Sequence, residues 1–135
     1  MNYFKILGVM AVLLFFASCE KEYMKYTKKP EYITNPQPQF KSYFEAYDNA
    51  LSLWDVDYDE LYIPTSYGTA HVVVSGPRNG EPVILLHGMN ASSTMWYPNA
   101  KALAQDYRVF AIDLIIEPGK SFKTREFEKV EEVTK

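Results

Sequence analysis

Apolar residues follow three different patterns along this chain, and each predicts a different kind of element. Residues 6–16, "ILGVMAVLLFF", form an unbroken apolar run. At eleven residues it has the length of a secretory h-region and is too short to cross a bilayer as a helix. Residues 20–39, "EKEYMKYTKKPEYITNPQPQ", show no apolar period and are interrupted by Pro30, Pro36 and Pro38, so a tether is expected there. In "FKSYFEAYDNALSLW", Phe40, Phe44, Tyr47, Leu51 and Trp54 recur at helical spacing and predict a helix with one packing face.

Strand patterns follow. "DELYIPT" (59–65) alternates polar and apolar residues and leads through Ser66-Tyr67-Gly68 into "AHVVVSG" (70–76), which predicts an antiparallel hairpin with one solvated face. The turn pair Asn79-Gly80 opens into "PVILLHG" (82–88), whose apolar residues 83–86 are continuous and read as buried on both faces. Pro98 suits the first position of a helix and disfavours helical geometry at Tyr97. Ala100, Leu103 and Ala104 then share one side of that helix. "YRVFAIDLI" (107–115) is a further buried strand, and strand, helix and strand within about thirty residues make a right-handed parallel crossover. The last residues, "SFKTREFEKVEEVTK", bring Phe127, Val130 and Val133 together as a short helix. The expected architecture is α/β, with a mixed, mostly parallel sheet.

Composition narrows the function. At 135 residues, 47% hydrophobic and 16% aromatic, the chain is long enough for one small folded domain. A net charge of −3 gives no footprint for nucleic acid. Cys19 is the only cysteine, so no internal disulfide forms. His71 and His87 are too few and too far apart to suggest a metal cluster. No cofactor is implied, and no oligomeric state can be read.

Cys19 stands directly after the apolar run. "FASC" (16–19) resembles the lipobox of bacterial lipoproteins, with Phe16 where Leu is usual. The resemblance implies cleavage before Cys19, lipidation of its thiol and anchoring at a membrane of the bacterial cell envelope, facing the periplasm or the surface. More than one acyl chain makes such an anchor stable.

"HVVVSGPRNGEPVILLHGMNASSTMW" followed by "YRVFAIDLIIEPGKS" resembles the N-terminal part of the α/β-hydrolase superfamily, closest to its single-domain carboxylesterase-like members. The resemblance covers roughly residues 40–121. It implies that a backbone N–H after the third strand stabilises an oxyanion; by position this is Met89, with His87, Gly88 and Asn90 shaping the loop. A glycine directly after a buried strand suits a sharp turn that leaves amides pointing outward. His71 is expected to be a packing or surface residue, and Asp113 to fix a loop. "GKS" (119–121) is no phosphate loop, because Leu114 stands where that motif needs Gly. "IEPGKS" fits the family's loop after the fourth strand except at Ile116.

The family's nucleophile sits on a Gly-x-Ser-x-Gly elbow. None of the six glycines (8, 68, 76, 80, 88 and 119) begins one, and no histidine follows Asp113. Ser92, Ser93 and Ser121 have no base placed by a motif. The expected organisation is a signal peptide (1–18), a lipidated Cys and tether (19–39), the front of a hydrolase domain (40–121) and a charged tail (122–135). Two readings follow from this. One is the front of a lipid-anchored, esterase-like serine hydrolase, inactive by itself and acting on a small-molecule ester when completed. The other is a small lipid-anchored binding or structural protein that reuses the half-fold. An apolar third strand left at a sheet edge favours the first, since a stand-alone binding protein blunts such an edge.

Overall fold

Valine-rich segments with β-branched residues on alternate faces build the sheet, and the tight turn between its first two strands sets their register. In the computed structural model, which describes residues 23–128, β1 (Tyr58–Thr65) and β2 (Gly68–Ser75) pair antiparallel from Tyr58↔Ser75 to Thr65↔Gly68. The hairpin was legible in the alternation. β3 (Glu81–Leu86) pairs in parallel with β4 (Tyr107–Ile112), and β4 pairs antiparallel with β2. A two-residue β5 (Phe122–Lys123) adds antiparallel to the start of β2. There Gly68 is required: its φ is +145°, and a Cβ would lie 2.0 Å from the Phe122 carbonyl oxygen. The strand order is β1-β2-β4-β3.

The sheet is mixed, but mostly antiparallel rather than mostly parallel. A parallel pair needs a crossover, and the described residues contain one, from β3 through a 3-10 turn (Ser93–Trp96) and a helix to β4. Tyr97 belongs to that helix, contrary to expectation, because the 3-10 turn runs straight into it with helical dihedrals. The strand expected over 107–115 ends at Ile112, and residues 122–123 are strand where a helix was expected.

Two apolar layers cover the sheet. On one face, Tyr47 and Leu51 of a helix over Pro38–Leu51, with Trp54 just beyond it, pack on Val73, Leu85, Val109 and Ala111, together with Ala100 and Ala104. The helical stripe therefore splits: its second half is core, whereas Phe40 is 47% exposed. On the opposite face Leu61, Val72 and Val74 are covered by Tyr23 and Tyr26. This corrects the tether reading over its described part. Tyr23 Oη donates to Asp59 (2.9 Å) and accepts from Arg108 Nη2 (3.0 Å), while Tyr32 donates to the Lys120 carbonyl (3.0 Å) and stacks on Phe122. Single aromatic side chains hold the segment, so it needs no apolar period. Cys19 and the apolar run 6–16 lie outside the described residues, among which no helix is long and apolar enough to cross a membrane.

β3 departs most from its sequence reading. Val83 and Leu85 face the core, but Ile84 (63% exposed) and Leu86 (56%) stand out on the other face, and β3 has one strand neighbour. The sequence carries a strand suited to burial on both sides, and among the described residues one side and one edge are uncovered.

Candidate functional site

The loop after β3 begins at His87, whose buried ring is fixed by backbone atoms. Its Nδ1 lies 2.9 Å from the Gly88 carbonyl, and the Leu114 N–H donates to Nε2 at 3.0 Å. A ring protonated on Nδ1 satisfies both contacts. His87 thus ties the loop after β3 to the loop after β4 and has no ring nitrogen left for proton transfer.

The sharp turn falls at Asn90 rather than at Gly88. Asn90 has φ +57°, which Asn tolerates through its short polar side chain. Gly88 lacks a positive φ, and a Cβ there would meet nothing within 4 Å, so its backbone faces open space. The row of free amides is shorter than expected. Asn90 N–H donates to the Glu117 carboxylate at 2.8 Å, and Ala91 N–H turns back to the Gly88 carbonyl at 3.3 Å. Met89, 82% exposed, is left with an N–H that donates to no described residue.

Behind this loop lies a buried polar network centred on Asp113. Its Oδ2 accepts from His71 Nδ1 (2.8 Å), the Tyr47 hydroxyl (3.0 Å) and Lys120 N–H (2.8 Å), and its Oδ1 accepts from Ser93 N–H (2.8 Å). His71, fully buried, places Nε2 3.0 Å from Glu60 Oε2. Lys120 Nζ, also buried, reaches Glu60 and Asp48 at 2.5 Å each, and Lys29 contacts Glu60 at 2.9 Å. Gly119 lets this happen, since a Cβ there would sit 2.5 Å from Asp113 Cγ. His71 is therefore a structural hub and never reaches the surface. Nothing adjacent in the sequence marks it. The only signal is that residues 60, 62, 71 and 73 share one sheet face once the hairpin register is known. Asp113 fixes two loops at once.

Burial opposes ionisation of both carboxylates, and hydrogen bonds overcome it. Those from His71, Lys120 and Lys29 hold Glu60 well below its usual 4.5, and His71 with the Lys120 and Ser93 amides holds Asp113 below its usual 3.8. Burial and the nearby Asp113 charge push the Tyr47 hydroxyl far up, so it acts as a neutral donor. Depressed carboxylates stabilise the fold above their unfolded values, and that stability drains as pH falls through and below them. The urea midpoint is expected to hold from about pH 7 to about pH 5 and to drop steeply below about pH 4. Glu60→Gln should lower the neutral-pH midpoint and flatten the acid limb. A midpoint independent of pH down to about pH 3 would contradict this assignment.

None of the three candidate hydroxyls is a nucleophile in this arrangement. Ser93 is buried with Oγ 2.7 Å from Tyr47 Oη, Ser121 donates to the Asp113 carbonyl at 2.6 Å and accepts from His71 N–H, and Ser92 pairs with Thr94. No serine hydroxyl meets a histidine ring nitrogen among the described residues, so no activated pair forms. What remains chemically available is the unpaired Met89 amide on a braced loop at the end of a strand.

Comparison with known proteins places this arrangement. Residues 81–123 match the family described as alpha/beta hydrolase fold. The chain is 40% identical over 86 residues to Carboxylesterase YbfK of Bacillus subtilis (strain 168), across 64% of this chain and 29% of that protein. It is 46% identical over 79 residues to the Uncharacterized carboxylesterase nap of the same organism, across 58% of this chain and 26% of that protein. The crystal structure of naproxen esterase (carboxylesterase NP) from Bacillus subtilis aligns with a TM-score of 0.61 at 43% identity, over 62% of this chain and 30% of that one. The chain thus spans less than a third of the length of these curated relatives. Strand order, loop and comparisons agree that the described residues have the α/β-hydrolase fold in part, and that over the matched stretch the chain is a homologue of bacterial carboxylesterases.

Proposed function

We propose that this chain supplies the front part of a lipid-anchored, esterase-like hydrolase that cleaves a carboxylic ester or similar acyl bond through a serine nucleophile. In that reaction the serine oxygen attacks the acyl carbon, the alcohol departs, and water later releases the acid. The Met89 amide receives the negative charge on the carbonyl oxygen at each tetrahedral stage. The observation that carries the reading is the placement of β3. The strand that leads to the unpaired Met89 amide stands at a sheet edge with Ile84 and Leu86 exposed, where a further strand carrying a nucleophile elbow would pair the edge and the helix after it would cover that face. Among the described residues no serine is paired with a base that could deliver the attack, and the activity of this chain alone is expected to be nil.

The gene tests this directly. DNA after codon 135 should encode, in some frame, Gly-x-Ser-x-Gly, then an Asp or Glu, then a His. If no frame holds that order, the hydrolase reading loses its support and the binding-protein reading replaces it.

The anchor is the second part of the proposal. It rests on Cys19 at the end of an eleven-residue apolar run, followed by a segment that reaches the domain at Tyr23. Cys19→Ala is expected to abolish labelling by a clickable fatty acid and to shift the protein out of the membrane fraction. Labelling that survives the substitution would remove the anchor from the account.

A further inference from the structure

Phe40 and Phe44, the stripe residues left out of the core, line an open cavity of about 800 Å3. Tyr32, Tyr43 and Phe122 complete its aromatic wall, so residues 32–44 and the distant Phe122 contribute rings to one space. The wall is held in place: Tyr32 stacks on Phe122 at 4.8 Å between centroids and is pinned by its hydroxyl to the Lys120 carbonyl. Small-molecule sites typically enclose ~300–1,000 Å3 with mostly apolar lining and a few polar groups. The charged residues in the wall are Glu31 and Glu117, and no Lys or Arg lines it. Glu117 is also the carboxylate that holds Asn90 N–H at 2.8 Å, so the cavity opens beside the oxyanion loop.

We infer that this cavity binds the aromatic or aryl-alkyl part of an uncharged ester and discriminates against the corresponding free acid. The assignment of an ester, rather than any neutral aromatic molecule, rests on the hydrolase reading above. Aromatic walls contribute apolar area and ring stacking. Glu31 and Glu117 in the wall of this open cavity repel a third carboxylate, an effect that added salt weakens. An ester enters without that repulsion, and the acid formed from it meets it, which favours release of product.

The test uses the 135-residue chain and the neutral fluorescent probe N-phenyl-1-naphthylamine. Saturable brightening with one site is expected. Phe40→Asp, at a half-exposed position outside the core, should raise the probe Kd at least tenfold with an unchanged urea midpoint. Ile84→Asp, on the uncovered sheet face, should leave the Kd within twofold. Methyl 2-naphthoate should displace the probe at least tenfold more effectively than 2-naphthoate at neutral pH, and Glu31→Gln should narrow that gap. Absence of saturable binding, loss of binding in Ile84→Asp but not in Phe40→Asp, or equal displacement by acid and ester would each overturn the proposal. Binding is read here without turnover. A negative result therefore leaves the hydrolase reading standing, and a missing downstream triad leaves a positive binding result standing.

Discussion

Asp113→Ala is expected to cost about 3–5 kcal/mol of folding free energy, the range for removing one partner of a buried charged pair. Set against a typical total of about 5–15 kcal/mol, that loss leaves little folded margin. Four donors converge on this carboxylate: the His71 ring, the Tyr47 hydroxyl and the amides of Ser93 and Lys120. Removing it takes the Asp113 acceptor from the His71 ring and the Ser93 and Lys120 amides, all in buried residues, while Tyr47 keeps Ser93 Oγ at 2.7 Å. An unsatisfied buried donor costs the full desolvation of that group. The loops after β3 and β4 lose their shared anchor in the same step. The urea midpoint should fall by about 1 M or more, and amide exchange should rise first in residues 87–93 and 114–121. Asp113→Asn keeps acceptor capacity without the charge and should lose less. A midpoint within experimental scatter of the wild type for Asp113→Ala would show that the network does not brace the loops.

Much of the fold was legible because the relevant signals are local. Alternation over 59–65 and the short turn before Gly68 specify the hairpin, and the apolar segments 83–86 and 107–112 with a helix between them specify the parallel pair. The loop after β3 was legible for the same reason, since His-Gly after an apolar strand is a contiguous signal. Three features were not. His71, Glu60 and Lys120 meet across segments up to 60 residues apart, and their meeting depends on strand register and on Gly119 approaching Asp113. The segment 23–34 was read as a tether because separate tyrosines, each finding its own partner, leave no period. The continuous apolar run in β3 was read as burial on both faces, but among the described residues Ile84 and Leu86 are exposed, because an apolar run does not say which face a neighbour covers. Sequence records what a strand is suited to contact, and Ile84 and Leu86 show that this can exceed what is in place around it.

The Met89 amide carries the second large effect and the most direct test. The chain should be compared with the same chain extended by the segment encoded after codon 135, in hydrolysis of p-nitrophenyl butyrate and in labelling by a fluorophosphonate. The chain alone is expected to match the buffer rate and to take no label, because a donor that stabilises an oxyanion accelerates only an attack that some nucleophile delivers. The extended protein should turn over ester and be labelled on serine. In it, Met89→Pro, which removes the N–H, should lower kcat by ~10²–10³-fold, whereas Met89→Ala, which keeps the N–H, should retain most of the rate. Turnover and labelling by the 135-residue chain itself, or an extended Met89→Pro enzyme as fast as Met89→Ala, would contradict the account of this chain as the oxyanion-bearing front of an ester hydrolase.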